Sequence, residues 1–313
     1  MTPEPRTPLL VIVGPTGSGK TDLAHDLARR RGGEIVSADA FAVYRGLDAG
    51  TAKPTLAQRA EVRYHMIDVA DPEESFSAGR FASEARPIVV DVARRSRLPI
   101  VCGGSGFYVS ALLDGLPPEP ARETGLRPGL AAWAAVRGPD AAHRFLRLND
   151  PASAARIPIG NLKYTLRALE ILLSTGLPAS ARPVPADGWA ERFHVRKLGL
   201  RPLRAQLHAR IEDRVRRMLE SGWDAEVRGL LEGGLSRDSN SFQAIGYREV
   251  AEWVLGRLPE GEVQERIVSA TRSLAKRQMT WFSRERGIRW VTPEEGPSAA
   301  LALILDATDE ETR

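Results

Sequence analysis

The sequence predicts an α/β protein in which a parallel sheet is flanked by helices. Leu9–Val13 is a continuous apolar run, as expected of a strand buried on both faces of a sheet. A glycine-rich turn follows and leads into Lys20–Arg31, where apolar residues recur at helical spacing. Strands and helices then alternate along the chain. This alternation predicts a doubly wound parallel sheet.

The remaining elements are predicted in chain order from apolar runs and helical spacing. Strands are expected at Glu34–Ala38, Leu98–Cys102 and Phe193–Leu200, and helices at Phe81–Arg95, Lys163–Ser174, Arg204–Glu220, Glu226–Glu232 and Glu262–Arg286.

Two proline-rich stretches, Leu116–Pro120 and Leu177–Pro185, interrupt this pattern. The segment between them is helical in its spacing, and prolines commonly punctuate the ends of an inserted segment. We therefore expect residues 1–115 and 190–313 to form a core with C-terminal helices. Residues 116–189 would form a helical insertion domain.

The composition excludes several classes of protein. Of the 313 residues, 42% are hydrophobic and 27% are charged, which is ordinary for a globular protein and too apolar for a disordered one. No apolar run reaches the roughly 18–20 residues of a membrane span, and the N-terminus lacks the pattern of a signal peptide. The single cysteine, Cys102, excludes an internal disulfide and a cysteine-based zinc site. We expect a cytoplasmic protein without a membrane partner.

The turn after the first strand matches the phosphate-binding pattern G-x-x-x-x-G-K-[S/T] and lies between a strand and a helix, as that pattern requires. Its backbone N–H groups, the helix N-terminus and a lysine would hold phosphate oxygens, and the final hydroxyl could bind Mg²⁺. The alternative is a glycine-rich turn that binds nothing. The predicted phosphate-binding residues are Gly14, Pro15, Thr16, Gly17, Ser18, Gly19, Lys20 and Thr21, with Thr21 as the Mg²⁺ ligand.

An acidic residue is expected beside this loop. No acid follows the strand Leu98–Cys102, but Asp39 directly follows Glu34–Ala38, which we take as the neighbouring strand. Carboxyl ends of adjacent parallel strands meet at one crevice, so Asp39 should face the bound phosphates. A carboxylate there could bind Mg²⁺ or accept a proton. The alternative is an aspartate that only caps a helix.

A basic block lies near the C-terminus. The net charge of the whole chain is only +4, but residues 266–289 carry seven Arg or Lys and one Glu, a local balance of +6. On a helix, Arg272, Lys276, Thr280 and Arg284 would form one stripe. Such a stripe beside aromatic residues suits a nucleic acid, and an ordinary amphipathic helix with a solvated face is the alternative.

Several blocks together resemble the tRNA dimethylallyltransferase (isopentenyl-tRNA transferase) family. They run in the order of the family over about residues 9–290, and the last two are more specific than the phosphate loop. The blocks are Gly14–Thr21, Asp39, Tyr44–Asp48, Gly50–Pro54, Gly103–Tyr108, Arg167–Glu170, Gln243–Glu249, Thr271–Arg272 and Ala275–Phe282.

The resemblance implies a fold similar to the P-loop NTPases and a specific reaction. A dimethylallyl group would pass from dimethylallyl diphosphate to N6 of the adenosine just 3′ of the anticodon, in tRNAs that read codons beginning with U. Asp39 would orient the amino group and take its proton, and Ser105 would keep the hydroxyl that a family threonine supplies. Arg214 matches a diphosphate-binding arginine. The implied cofactor is Mg²⁺, and the expected partners are dimethylallyl diphosphate and the anticodon stem-loop of tRNA, bound by a monomer.

The resemblance also implies a tRNA-binding surface, to which the insertion domain contributes. Its residues would be Asp39, Ala40, Phe41, Ala42, Lys163, Arg167, Gln243, Ala244, Ile245, Gly246, Tyr247, Arg248, Lys276, Arg277, Gln278, Trp281, Phe282 and Arg284. Two positions depart from the family pattern, since Ala40 and Ala42 replace a serine and a glutamine. Asn161–Tyr164 holds one cation where the family often has several arginines.

A different class of function is the alternative. A small-molecule kinase of the P-loop type would also use a phosphate loop and a nearby aspartate, with ATP as the donor. It would not need the basic and aromatic block at Lys276–Phe282. A nucleic-acid-binding ATPase is less consistent with the sequence because the strand-end acid that usually holds Mg²⁺ is missing. The five histidines show no metal-ligand spacing.

Overall fold

A computed structural model describes residues 7–117, 125–184 and 188–309. In the described residues, one six-stranded sheet has the order β3-β2-β4-β1-β5-β6, and every pair is parallel. The strands are β1 (Thr7–Val13), β2 (Glu34–Ser37), β3 (Tyr64–His65), β4 (Pro99–Gly103), β5 (Phe193–Leu200) and β6 (Ile288–Val291). The predicted fold class, a parallel sheet flanked by helices, is confirmed.

The helices of the described residues alternate with strands as far as β4, and runs of helices then separate β4 from β5 and β5 from β6. They are α1 (Lys20–Arg31), α2 (Leu56–Glu61), α3 (Ala78–Arg94), α4 (Gly106–Leu113), α5 (Leu126–Arg137), α6 (Pro139–Asn149), α7 (Pro151–Arg156), α8 (Leu162–Thr175), α9 (Arg204–Glu220), α10 (Trp223–Glu232), α11 (Tyr247–Val254), α12 (Glu260–Phe282) and α13 (Gly296–Asp309). None of them is both long and apolar enough to cross a bilayer.

The strand order confirms one expectation. The strand that precedes Asp39, β2, was expected beside Leu98–Cys102, and β2 pairs with β4, which in turn pairs with β1. The close packing there depends on Gly103, the last residue of β4. A Cβ on Gly103 would lie 2.0 Å from the carbonyl oxygen of Ala38. Because Gly103 has no side chain, the chain after β2 can pass close to the end of β4 and approach the glycine-rich loop.

One hydrophobic core lies against the sheet, and a second joins the helices beside it. In the first, Leu10 and Ile12 of β1 pack with Leu23 of α1 and Ala299 of α13. All of Leu9–Val13 is at most 1% exposed, as the continuous apolar run predicts for a central strand. The second core joins α9, α10, α11 and α12 and includes the buried Trp223. Burial of these apolar stripes fixes the helices beside the carboxyl edge of the sheet.

The chain divides into two units, Met1–Asp114 with Gly188–Arg313, and Gly115–Asp187. The division predicted from the sequence was 1–115 with 190–313, and 116–189. The second unit contains α5–α8 around Leu146 and Leu169, which are fully buried. Its Asp150 caps α7 through the N–H of Ser153 and also binds Ser180. Burial alone would raise the pKa of Asp150, but these hydrogen bonds outweigh it and lower the pKa to about 2.

Candidate active site

The glycine-rich loop, residues 14–21, joins β1 to α1. Gly19 caps α1 with φ 87°, a left-handed conformation that favours glycine. Gly17 has φ 80°, and a Cβ there would lie 3.2 Å from Cγ1 of Ile211 in α9. The conformation of the loop therefore depends both on its own turn and on its contact with α9. Ser18 is fully buried within the loop.

One cavity of about 100 Å³ collects the charged groups of the site, and we call it the loop cavity. Lys20, Thr21, Asp39 and Arg214 all line it. Burial lowers the pKa of both Lys20 and Arg214, while the charge of Asp39 acts in the opposite direction on each. Two cations are thus partly stripped of water at the N-terminus of α1. This arrangement suits a multiply charged anion such as a diphosphate.

The hydrogen bonds of these cations leave most of their donors available. Lys20 Nζ donates to the carbonyl of Pro15 at 3.3 Å. Arg214 Nη2 donates to the carbonyl of Thr51 at 3.4 Å. Neither cation forms an ion pair among the described residues. Arg210, one turn before Arg214, instead pairs with Glu294 at 3.6 Å. The structure therefore places Arg214, and not Arg210, on the loop cavity.

The carboxylate of Asp39 is held by the turn that follows β2. Its Oδ1 accepts hydrogen bonds from the N–H of Phe41 at 2.9 Å and of Ala42 at 3.2 Å. Its Oδ2 accepts none from the part of the chain that the structure describes. The capping role considered from the sequence is therefore real, although it caps a turn and not a helix. One oxygen fixes the orientation of the carboxylate, and the other remains available in the loop cavity.

Residues 44–54, which we call the wall loop, form one side of the loop cavity through Thr51 to Pro54. Lys53 anchors this loop with a side chain only 2% exposed. Its Nζ donates to the carbonyl of Tyr44 at 2.6 Å and pairs with Asp48 at 2.7 Å and Asp68 at 2.5 Å. Because the wall loop supplies the Thr51 carbonyl, this network around the buried Lys53 positions Arg214.

A second anchor of the wall loop comes from α10 and α11. Glu226 Oε2 accepts the N–H groups of Asp48 and Ala49, both at 2.8 Å, and its Oε1 accepts the hydroxyl of Tyr247 at 2.6 Å. The ring of Trp223 packs beneath this junction. A Cβ on Gly246 would lie 2.0 Å from that ring, so this position requires glycine.

This junction corrects part of the predicted tRNA-binding surface. Ala244, Gly246 and Tyr247 are buried, with Tyr247 fully so, and they support the wall loop. A direct contact of these residues with RNA is not consistent with their burial. Ile245 is half-buried against the same core. Of this block, Gln243 and Arg248 are exposed.

Helix α12 crosses the site and contacts the glycine-rich loop directly. Oε1 of Gln278 accepts the N–H of Thr16 at 2.8 Å, and its Nε2 donates to the carbonyl of Gly104 at 3.1 Å. The amide of Gln278 therefore joins the glycine-rich loop to the turn at Gly104, and its predicted role in binding RNA stays a prediction. Leu274, one turn earlier, also lines the loop cavity.

The end of α12 also differs from the prediction. The helix ends at Phe282 and not at Arg286, so Arg284 lies outside the predicted stripe, although it is exposed. Phe282 is 1% exposed and packs in the core, which corrects its assignment to the RNA surface. Trp281 is 43% exposed, and its ring lies edge-on to that of Phe107 with centroids 6.3 Å apart. Lys276 and Arg277 are exposed as predicted for a binding surface.

The other predicted residues fall at different places. Ser105 does not line the loop cavity, although its N–H donates to the carbonyl of Ala38 at 3.1 Å, next to Asp39. Ala42 does line the cavity, while Ala40 and Phe41 form the half-buried turn before it. The last two predicted residues belong to α8 of the second unit, where Lys163 is exposed and Arg167 Nη1 donates to Glu170 at 2.9 Å.

Sequence reasoning missed the residues that position the site. Trp223 and Glu226 support the wall loop, yet neither belongs to any of the sequence motifs. Leu274 could have been found, because it precedes Gln278 by four residues and so shares its face of the helix. Ile67 lines the loop cavity from the connection after β3, where no pattern indicated a role.

The fold and the cavity together define a class: an α/β protein with a P-loop-like sheet and a cavity, lined by Lys20 and Arg214, beside its glycine-rich loop. A family model described as IPP transferase matches residues 42–285. The chain belongs to this family, so the predicted membership is confirmed.

Individual relatives match nearly the full chain. A tRNA dimethylallyltransferase of Desulfosudis oleivorans is 44% identical over 300 residues, covering 96% of this chain and 95% of the relative. One from Anaeromyxobacter sp. strain Fw109-5 is 46% identical over 290 residues, covering 91% and 94% respectively. These lengths show that the likeness includes both units of the chain.

Solved structures agree with the fold. The tRNA isopentenylpyrophosphate transferase of Bacillus halodurans aligns with a TM-score of 0.71 at 33% identity, covering 98% of this chain and all 100% of that one. A eukaryotic dimethylallyltransferase acting on tRNA aligns with a TM-score of 0.79 at 25% identity, covering 98% of this chain and 80% of that chain.

Proposed function

We propose that this protein is a tRNA prenyltransferase. It transfers the dimethylallyl group of dimethylallyl diphosphate to N6 of the adenosine 3′-adjacent to the anticodon, in tRNAs that read codons beginning with U. The observation that carries the proposal is the loop cavity, where Lys20 and Arg214 face the same space as the available oxygen of Asp39. Cations suit the diphosphate, and a carboxylate suits an amine that must lose a proton.

The glycine-rich loop and the two cations hold the leaving group. As the allylic C–O bond breaks, its electron pair goes to the diphosphate, and the charge that develops there is stabilised by loop N–H groups, Lys20 and Arg214. Because these donors are fixed before the reaction by the wall loop and by α12, they need little reorganisation. This stabilisation is larger in the transition state than in the bound donor.

The donor set also suits Mg²⁺, which we propose as the cofactor. Mg²⁺ binds few protein ligands when phosphates and water complete its shell. Thr21 supplies one hydroxyl on the cavity, and no cluster of three or more His, Cys, Asp or Glu side chains suited to a metal occurs within the described ranges. When bound, the ion would neutralise charge on the diphosphate.

Asp39 acts on the acceptor. The adenosine must leave its stack to enter a cavity of this kind, as bases do in other enzymes that modify them. Its N6 amino group would donate to Asp39 Oδ2 while the N6–carbon bond forms. The proton lost from N6 then passes to the carboxylate. The hydrogen bonds to Oδ1 keep the second oxygen oriented throughout.

The finer predictions about the partner belong to this proposal. Lys276, Arg277 and Arg248 are exposed cations close in sequence to residues that build the site, which supports binding of the anticodon stem-loop. Contact of Lys163 and Arg167 with tRNA, a monomeric state and a cytoplasmic location stay predictions. The kinase alternative is not favoured, because the matching family and relatives are transferases of prenyl groups.

The direct test is to incubate the protein with dimethylallyl diphosphate, Mg²⁺ and unmodified tRNA, and to analyse the nucleosides by mass spectrometry. We expect N6-(dimethylallyl)adenosine at the position after the anticodon. A parallel reaction with ATP and small acceptors tests the kinase alternative. Absence of the prenylated nucleoside with a tRNA that reads a U-initial codon would refute the proposal.

A further inference from the structure

A second and larger cavity lies outside the site described above. It has a volume of about 680 Å³ and lies between the first turns of α9 and the middle of α12; we call it the α9/α12 groove. None of its lining residues lines the loop cavity. The two are nonetheless neighbours, because Pro15 lines the groove and Thr16 lines the loop cavity.

Helix α12 separates the two cavities. Its residues Leu274 and Gln278 line the loop cavity, whereas Arg272, Lys276 and Met279 line the groove. The spacing of the two sets places them on different faces of one helix. A ligand in the groove would therefore contact the same helix that holds the glycine-rich loop through Gln278.

The rim of the groove is strongly cationic. Arg201, Arg204, Arg272 and Lys276 line it, with His208, and Glu265 is the one carboxylate among its lining residues. Arg201 is held in place by the ring of Trp290, with its guanidinium carbon 4.5 Å from the ring centroid. This balance of charge attracts a polyanion.

Arg272 shows unused hydrogen-bonding capacity. Its Nη2 donates to Glu212 at 3.0 Å, but its Nε is a buried donor without a partner in the described structure. A buried donor that lacks a partner costs free energy unless water or a ligand satisfies it. Arg272 therefore adds positive charge to the groove, and its buried Nε would need a local shift of the side chain to bind a ligand.

The floor of the groove is apolar, with Pro15, Leu207 and Met279 among its lining residues. A simple phosphate ion needs no such floor, whereas a nucleotide has a sugar and a base to cover. The volume also falls within the range of about 300–1,000 Å³ that is common for ligand sites. Cations at the rim and an apolar floor together match the sugar–phosphate backbone and base of a nucleic-acid strand.

We infer that the α9/α12 groove binds the backbone of the RNA substrate next to the adenosine that enters the loop cavity. This inference rests on the proposed function, because it takes tRNA as the acceptor. It adds Arg201, Arg204 and His208, which belong to none of the blocks that resemble the family, to the RNA-binding surface. Pro15 lines the groove and the next residue, Thr16, lines the loop cavity, so RNA bound in the groove would lie beside the adenosine.

The test compares an Arg201→Ala/Arg204→Ala variant with an Arg29→Ala/Arg31→Ala control of equal charge. Arg29 and Arg31 end α1, at the opposite end of the helix from the glycine-rich loop. Binding of a fluorescent anticodon stem-loop RNA is measured by anisotropy over a range of salt concentrations. We expect the groove variant to bind about tenfold more weakly near 0.1 M salt, with a slope of log K against log salt shallower by about 1.4. The control should match the unmodified protein.

A second variant blocks the groove without changing its charge. Ser273 is exposed and lines the groove, so Ser273→Trp fills it. Ser83→Trp, at an exposed position of α3, is the matched control. We expect Ser273→Trp to weaken RNA binding severalfold while the KM for dimethylallyl diphosphate stays within twofold. Circular dichroism checks that both tryptophan variants are folded.

The outcomes separate this inference from the proposed function. If the groove variants bind RNA with the affinity and salt slope of the unmodified protein, the groove does not hold RNA, whatever the activity. If the unmodified protein forms no prenylated adenosine, the proposed function fails, and the anisotropy measurements still decide whether the groove binds RNA.

Discussion

The two edges of the sheet carry buried charge in opposite ways. At the amino edge, Glu34 begins β2 and is bound by Arg95, by His65 at 2.7 Å and by Arg97 at 3.5 Å. At the carboxyl edge, Lys20 and Arg214 have no ion pair among the described residues. The charges of the first cluster are paired within the protein, whereas those of the second would be paired by the anionic donor that we propose.

The pKa shifts express the same difference. The hydrogen bonds from Arg95 lower the pKa of Glu34 to about 2, so the charged form is favoured by the fold. Burial lowers the pKa of Lys20 and of Arg214, because burying these two charges costs free energy that a bound anion would offset. A fold tolerates such an incomplete cluster where function needs it. Substitutions at the two edges should therefore have opposite effects on activity and stability.

The largest effect is expected for Asp39→Asn. The amide keeps an oxygen for the N–H groups of Phe41 and Ala42 but cannot take the proton from N6. We expect turnover to fall by about 10²–10⁴ while RNA affinity stays within a few fold. Single-turnover prenylation and RNA anisotropy measure the two quantities. Near-normal turnover would remove Asp39 from proton transfer.

The next effect is expected for Lys20→Met, which removes one desolvated charge. We expect kcat/KM for dimethylallyl diphosphate to fall by about 10²–10³, since a preorganised donor to the leaving group is lost. The free energy of unfolding should stay equal or rise, because the fold no longer buries this cation. Denaturation in urea measures it. A clear loss of stability would contradict the contrast between the two edges.

A substitution at the amino edge should instead lower stability and leave activity nearly unchanged. Glu34→Gln removes a carboxylate whose partners remain, and we expect the free energy of unfolding to fall by about 1–3 kcal/mol with little change in kcat. Because the folded pKa of Glu34 lies below its ordinary value of 4.5, its contribution is fully present above that pH. It is lost as the pH falls from about 4.5 towards 2. The stability gap between variant and unmodified protein should close over that range.

The sequence predicts the fold where the signal is local. Lys20–Arg31 and Arg204–Glu220 are helices with the predicted bounds, because their apolar spacing and ends lie within a few residues. Strand β3 has only two residues, which is too short for a pattern. The place of β4 between β1 and β2 depends on packing of Gly103 against Ala38, which no local pattern records.

In the site, too, the residues that a local pattern marks could be predicted, and those placed by distant contacts could not. The glycine-rich loop is contiguous, so its residues and the use of Lys20 could be predicted. The burial of Tyr247 could not, because its hydroxyl is bound by Glu226, which lies 21 residues away. Phe282 is a case where a local signal was available: it lies seven residues after the buried Ala275, on the same face of α12. Its burial was therefore predictable.

The smallest effect is expected for Gln278→Leu, which tests whether Gln278 holds the glycine-rich loop in position at the carboxyl edge. The substitution keeps the size of the side chain but removes its bonds to Thr16 and Gly104, and it leaves every charge in place. Because the glycine-rich loop loses a positioning contact, we expect the KM for dimethylallyl diphosphate to rise about three- to tenfold, the equivalent of one hydrogen bond. RNA affinity should not change, since this amide faces the loop and not the groove. A variant that loses RNA affinity but keeps its donor KM would instead place Gln278 on the RNA-binding surface.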